Sequence, residues 1–480
     1  MSTVNPIISD YSGYDALGLA ELVRKKEVKA SELVEEAIRR IETLNPKLNA
    51  VIYKTYDIAR AAADGPPPNG PFAGVPFMLK ELATMWEGLP TTNSCPYFKD
   101  FVAPVDLEIV TRIKKAGFAL VGKTNAPEFG WSITTEPAMF GPAHNPWNES
   151  VTPGGSSGGA AAAVAARILP LAEASDGAGS IRVPASNNGL IGMKPSRGTS
   201  TFAPIWADYW HGGAQFLCVS RTVRDTAAYL DVVYGTLPGD PYKAPERTRP
   251  FLDEARTNPD RLRIGFTVTP PDGNPIHPEA VAAVQATAKL LAGLGHEVTE
   301  HNMSFDADAA WRTYTRMTAV ATASAFEGMA PFIGHKVTEA EVSPTLWSII
   351  QRGWEISGPA HATDVDGLRM ISREVATDIA PFDVFLTPTL TQPPRPLGYW
   401  DMNEPDHDVY NAKWTDAVFM FPFNISGQPA MSVPMHWSAD GLPMGVQIVG
   451  RNNDEATLIR LAAQLEQAQP WINRKPPICS

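Results

Sequence analysis

The densest run of small residues in this chain is VTPGGSSGGAAAAVAA (151–166), and EASDGAGSIRVPAS (173–186) follows it. Closely spaced Gly and Ser let backbone approach a ligand and adopt conformations closed to bulkier residues. Both runs also offer hydroxyls, and a serine hydroxyl becomes a useful nucleophile once a base takes its proton. Taken alone, the two runs fit a site built around serine or a pair of surface turns.

Two further patterns compete for attention. GFALVGKT (117–124) matches the phosphate-binding pattern G-x-x-x-x-G-K-[ST]. That pattern needs a strand before it and a helix after it, so that amides and helix dipole face the phosphates. Here a helical segment precedes Gly117, a strand runs through the motif, and Asn125-Ala126-Pro127 follows, so the context is inverted. GSSGG (155–159) matches G-x-S-x-G, which would make Ser157 a nucleophile on a strand-to-helix elbow. A helix does follow, but ESVTP before it is a poor buried strand, and no downstream His has a distinctive setting. Metal catalysis has little support: the nine histidines are scattered, and no H-E-x-x-H or paired C-x-x-C occurs.

These residues need elements to hold them. GVPFMLK (74–80) reads as a buried strand ending on Lys80, 106–116 as a helix, FALVGKT (118–124) as a strand, and about 160–168 as an Ala-rich helix. Upstream, Leu33, Val34, Ala37, Ile38, Ile41 and Leu44 recur at helical spacing over 31–44, with Ser31 able to cap the start and Pro46 beyond the end. GPPPNGP (65–71) makes a turn-rich connection. Downstream, strands are expected at 262–267, 296–301 and 382–390 and as a pair near 431 and 445. Helices are expected at 278–294 and 454–468, and 305–380 is mostly helical in pattern. Strands alternating with helices predict an α/β fold with a mixed, mostly parallel central sheet covered by helices.

Composition agrees with a globular enzyme. Apolar residues make up 44% of 480 and charged residues 19%, and the net charge of −12 disfavours nucleic acid, whose phosphates need Lys and Arg. The three cysteines, Cys95, Cys218 and Cys479, are too sparse for a disulfide framework and suit a reducing compartment. MSTVNPIISD lacks the basic and apolar parts of a leader, and no apolar stretch approaches about 20 residues. A cytoplasmic location without membrane attachment is expected.

Read together and in order, GVPFMLKE (74–81), GKTNAPEFG (122–130), NPWN (145–148), GGSSGG (154–159), DGAGSIRVPAS (176–186), GMKPSRG (192–198) and NISGQPA (424–430) with GLPMGVQIVG (441–450) resemble the amidase signature family across nearly the whole chain. Within it, TTEP (134–137), NPWN and the small residue before the last Gly of GAGS look most similar to the branch of 6-aminohexanoate cyclic dimer (nylon oligomer) hydrolases. The resemblance implies one large domain. A helical segment over 1–65 would pack on a core over 66–480, with the catalytic part at about 70–200 and a variable substrate region at about 200–380.

The resemblance also implies a Ser–cis-Ser–Lys triad. Lys80 follows the G-[LV]-P strand, Ser156 is the first serine of GGSSGG and bridges, and Ser180 is the nucleophile, with the Gly155–Ser156 peptide cis. The backbone N–H groups of Gly177, Ala178, Gly179 and Ser180 become candidates for the oxyanion hole. Gly130, Trp131 and Ser132 resemble the acyl-pocket segment, while Ser157, Asp176 and Arg182 are supporting residues. Two departures stand out: Glu81 where most members have Asp, and Ala178 where most have Gly, though the nylon-oligomer branch is similar in tolerating Ala. With no His in the motif, a lysine kept neutral by burial must serve as base.

The activity implied is hydrolysis of uncharged amides through an acyl-enzyme: aryl acylamides, nylon-type oligomers, and by extension carbamates (urethanes). Trp206, Tyr209 and Trp210 supply aromatics in a loop-like region where members vary their substrate. A small-molecule amide is the expected partner, without cofactor or metal; a homodimer is left open. Two rival readings are a glutamine-amidotransferase-type subunit of a tRNA-dependent complex, which shares the fold, and the P-loop nucleotidase that the inverted context disfavours.

Overall fold

The computed structural model describes residues 8, 10–65 and 69–479. Most of the N-terminal stretch read for a leader, and 66–68 of the turn-rich connection, therefore lie outside the described residues.

Two sheets carry the residues singled out above. The smaller contains β1 (Val51–Lys54), β2 (Pro76–Lys80) and β3 (Ala119–Thr124) in the order β1–β3–β2. β2 and β3 run parallel, joined by a crossover that contains the helix Glu108–Ala116, and β1 is antiparallel to β3. Every residue of β2 and β3 is buried, which is why both read as continuous apolar runs. Lys80 falls at the end of β2 as expected.

The larger sheet has eight strands: β4 (Leu171–Asp176), β5 (Ile191–Lys194), β6 (Gln215–Ser220), β7 (Arg263–Phe266), β8 (Glu297–Glu300), β9 (Val384–Pro388), β10 (Ala430–Trp437) and β11 (Pro443–Gly450). Their order is β4–β6–β5–β10–β11–β9–β7–β8. The fold is α/β and the sheet is mixed, but its pairings are mostly antiparallel rather than mostly parallel. Only β9–β7 and β7–β8 are parallel in this sheet. The reason is strand order: β4 and β5 point the same way, but β6 returns between them and is antiparallel to both. Alternation of strands and helices along a chain does not say which strands become neighbours.

The helices follow their apolar periodicity, with shifts at the ends. The helix expected over 31–44 spans Ala30–Leu48. It begins after Lys29, whose N–H donates to the Glu32 carboxylate at 2.7 Å, so Ser31 is not the cap. It also runs through Pro46. Asn45 ends it: its carbonyl accepts from Asn49, and its side-chain oxygen accepts the N–H groups of Ala50 and Val51 at 2.8 Å each.

The Ala-rich helix Gly158–Ala165 is wholly buried and packs on β4. Its small side chains let β2 and β4, from different sheets, come into contact. The region 305–380 is largely the helices Ala307–Ile333, Pro344–Glu355 and Gly358–Asp378. Among the described residues no helix is long and apolar enough to cross a membrane.

Candidate active site

Lys80 is fully buried where β2 meets β4. Its Nζ lies 2.7 Å from Ser156 Oγ, 3.0 Å from Ser175 Oγ and 3.4 Å from the Ser175 carbonyl. The carbonyl can only accept, whereas each hydroxyl can accept or donate. The site therefore suits either form of the amine. Burial pulls the Lys80 pKa down to about 7, against the negative charges of Glu173 and Asp176 that favour the ammonium. The Gly155–Ser156 peptide is cis. Ser157 turns away: it is fully buried, its Oγ donates to the Ser175 carbonyl at 3.4 Å, and no strand precedes it to form an elbow.

The turn that follows β4 presents Ser180. Asp176 anchors it by accepting from the N–H groups of Gly179 (2.8 Å) and Ile181 (3.2 Å). Gly179 sits at φ +120°, a conformation open to glycine, and a side chain there would strike Met420 and Val183. Arg182 grips Asp176 with two parallel bonds, Nε to Oδ2 and Nη2 to Oδ1, each 2.9 Å. It then reaches Gln447 Oε1 (2.7 Å), Asn424 Oδ1 (2.6 Å) and the Met420 carbonyl (3.1 Å). Burial disfavours the Asp176 carboxylate, but Arg182 and Asn424 outweigh it and hold its pKa well below the usual carboxylate range.

Of the four N–H groups considered for the oxyanion, that of Gly179 is committed to Asp176. This corrects the expected set and leaves Gly177, Ala178 and Ser180. Removing one partner of a buried pair typically costs about 3–5 kcal/mol. Arg182→Met should accordingly lower the urea midpoint by that much stability, and an unchanged midpoint would show that the pair does not hold the turn.

Ser156, Ser175 and Ser180 share a small cavity of about 60 Å³ with Gly130, Gly177 and Ala178. Phe202, Trp206, Tyr209, Trp210 and Phe216 wall it. The Trp210 ring lies so close to Gly177 that a Cβ there would come within 2.5 Å of it. The Gly177 carbonyl accepts from the Tyr314 hydroxyl. Among Gly130, Trp131 and Ser132, only Gly130 lines the cavity. Trp131 is buried behind Trp210, its Nε1 donating to Thr322 Oγ1 at 3.0 Å, and the Ser132 hydroxyl accepts from Tyr410 Oη at 2.6 Å. Both are wall supports rather than lining. Trp414 lines both this cavity and a cleft of about 560 Å³ that holds none of the other residues discussed so far.

The P-loop pattern is internal structure. Its strand is β3, and Lys123 Nζ donates to the Pro90 carbonyl at 2.6 Å and pairs with Glu81. Glu81 also accepts from the Thr92 hydroxyl at 2.9 Å, so it faces Lys123 and not Lys80. The carboxylate that touches Lys80 is Glu173, which sequence reading passed over, as it did Ser175, Asn424 and Gln447. A charged residue inside the apolar strand LAEASD, two positions from Ser175 and so on the same face, was the available signal.

A sequence profile for the amidase family matches residues 32–459. The chain is 39% identical over 477 residues to a 6-aminohexanoate-cyclic-dimer hydrolase of Paenarthrobacter ureafaciens, covering 97% of this chain and 96% of that one. It superposes on the solved structure of 6-aminohexanoate cyclic dimer hydrolase complexed with substrate with a TM-score of 0.93 and 38% identity, covering 98% of this chain and all of that one. A bacterial aryl acylamidase of the amidase signature family is also similar, with a TM-score of 0.86 and 29% identity over 95% of this chain and 96% of that one.

Proposed function

The chain belongs to the amidase signature family of amide hydrolases, and from that premise we propose that it cleaves uncharged amides through an acyl-enzyme on Ser180. The observation that carries this reading is the 2.7 Å contact between buried Lys80 Nζ and Ser156 Oγ, in a cavity that also holds Ser180. Neutral Lys80 takes a proton from Ser156 as Ser156 takes one from Ser180, and the Ser180 oxygen attacks the carbonyl carbon. N–H groups from among those of Gly177, Ala178 and Ser180 hold the oxyanion. Ser156 passes a proton to the leaving amine, the C–N bond breaks, and water then releases the acid by the same relay.

The aromatic walls favour substrates with apolar or aromatic acyl or amine parts: aryl acylamides, linear or cyclic nylon-type oligomers and, by the same tetrahedral chemistry, carbamates. A cavity of about 60 Å³ is small beside small-ligand sites of roughly 300–1,000 Å³, so such substrates must displace part of the wall. Trp210 is the piece best suited to move. It and His211 both hold left-handed backbone at φ 54° and 50°, which for non-glycine residues costs about 1–3 kcal/mol each.

The test is a side-by-side rate comparison on a nylon cyclic dimer, an aryl acetamide, an aryl carbamate, glutamine and a short primary amide. The first three should lead. A marked preference for glutamine or the short amide would sink the substrate assignment while leaving the triad standing.

A further inference from the structure

β4 brings two polar residues to Lys80 from one face. Ser175 meets the amine, and Glu173 meets the main chain. Glu173 is fully buried; its Oε2 accepts the Lys80 N–H at 2.8 Å, and its Oε1 accepts the Thr84 hydroxyl at 3.2 Å. A carboxylate removed from water is costly unless it is paired. Two cations act on it, Lys80 from β2 and Lys123 from β3, and Lys123 is already paired with Glu81. The other titratable groups packed around it are Cys218, its cross-strand neighbour on β6, and Tyr229 of the helix Val223–Val233. Burial keeps both in their neutral forms. Asp176, further along β4, is matched by Arg182. Lys80 is thus the cation left to answer Glu173.

We infer that Glu173 is a positioning residue for the proposed base: it pins the end of β2 through the Lys80 N–H, and its charge sets when Lys80 can take a proton. The inference rests on the reading of Lys80 as the base. An anionic Glu173 favours the ammonium and so withholds the lone pair that Ser156 needs, whereas a neutral Glu173 releases it. Burial raises the Glu173 pKa and lowers that of Lys80, so the two are driven toward one another and each one's proton depends on the other's charge.

Glu173→Gln keeps the size and a carbonyl oxygen for the Lys80 N–H but removes the charge. In the full chain, the acidic limb of kcat/KM against pH, read on an aryl anilide, should move to lower pH by about one unit or more, within the 1–3 units typical of a nearby opposite charge. The pH dependence of Ser180 labelling by a fluorophosphonate should move with it. Thr84→Val removes one hydrogen bond from the carboxylate, makes the anion less favourable, and should move the limb the same way by less. It decides the matter if Glu173→Gln does not fold.

A limb that stays in place overturns the inference even if the rate falls, because a purely structural role lowers the rate alike at every pH. Lys80→Ala separates the two possible failures. If it keeps the parent's rate, the base assignment falls and this role with it. If it is inactive while the Glu173→Gln limb has not moved, only the role of Glu173 falls.

Discussion

Ser180→Ala should lose turnover by about 10,000-fold or more, the scale on which serine hydrolases respond to loss of the nucleophile. The effect should be this large because no other hydroxyl can take its place. Ser156 is tied to Lys80, and Ser157 is fully buried and directed at the Ser175 carbonyl. The folded state should hardly notice, since Ser180 sits on a turn held by Asp176 and Arg182 and not by its own side chain. A fluorophosphonate should attach to Ser180 in the parent and to no serine in the variant. Peptide mapping that finds the label on Ser157 would revive the elbow reading and remove the triad.

Lys80→Ala should cost about 1,000-fold, within the 100- to 10,000-fold range of general acid–base groups. The sign of its pH dependence follows from the amine. As a base, Lys80 must be neutral, and burial sets its pKa at about 7. In the parent, kcat/KM should therefore rise as pH passes through about 7 and fall away below it. In the variant the residual rate should lose that limb, because no group of similar pKa remains in contact with Ser156. Ser156→Ala should retain more activity than either, since a water molecule can take the place of its hydroxyl in the relay. A Lys80→Ala enzyme that kept both rate and limb would exclude lysine as the base.

Much of this site was legible because its parts are short and local. A buried apolar strand ending on a lysine, and two Gly/Ser runs flanking an alanine helix, each announce themselves within about a dozen residues. What was not legible depends on contacts between distant segments or on the direction in which a side chain points. Nothing near Gly179 says that its N–H is taken by Asp176, because that follows from how the turn curls. Trp131 and Ser132 were read with Gly130, yet their partners, Thr322 and Tyr410, come from far along the chain and turn both side chains into the wall. The mostly antiparallel pairing of the large sheet has the same origin, since β10 and β11 enter between strands formed hundreds of residues earlier or shortly before. Glu173 is the instructive omission: a charge in the middle of an otherwise small and apolar buried stretch marks a place where the core needs something other than packing.

The reach of Arg182 has a further consequence. Its partners Asn424 and Gln447 lie 242 and 265 residues downstream. On a ribosome adding roughly 5–20 residues per second, the last of them is made roughly 10–50 s after Arg182 itself. For most of that interval, until Met420 and Asn424 are made, the nascent turn bearing Ser180 has its carboxylate and its guanidinium but none of the C-terminal groups that hold them in place. On the proposed assignment, hydrolytic competence is therefore among the last properties a newly made molecule acquires, and a translation product arrested before the helix Phe421–Ile425 carries all three triad residues without Asn424 or Gln447 of the clamp that shapes them.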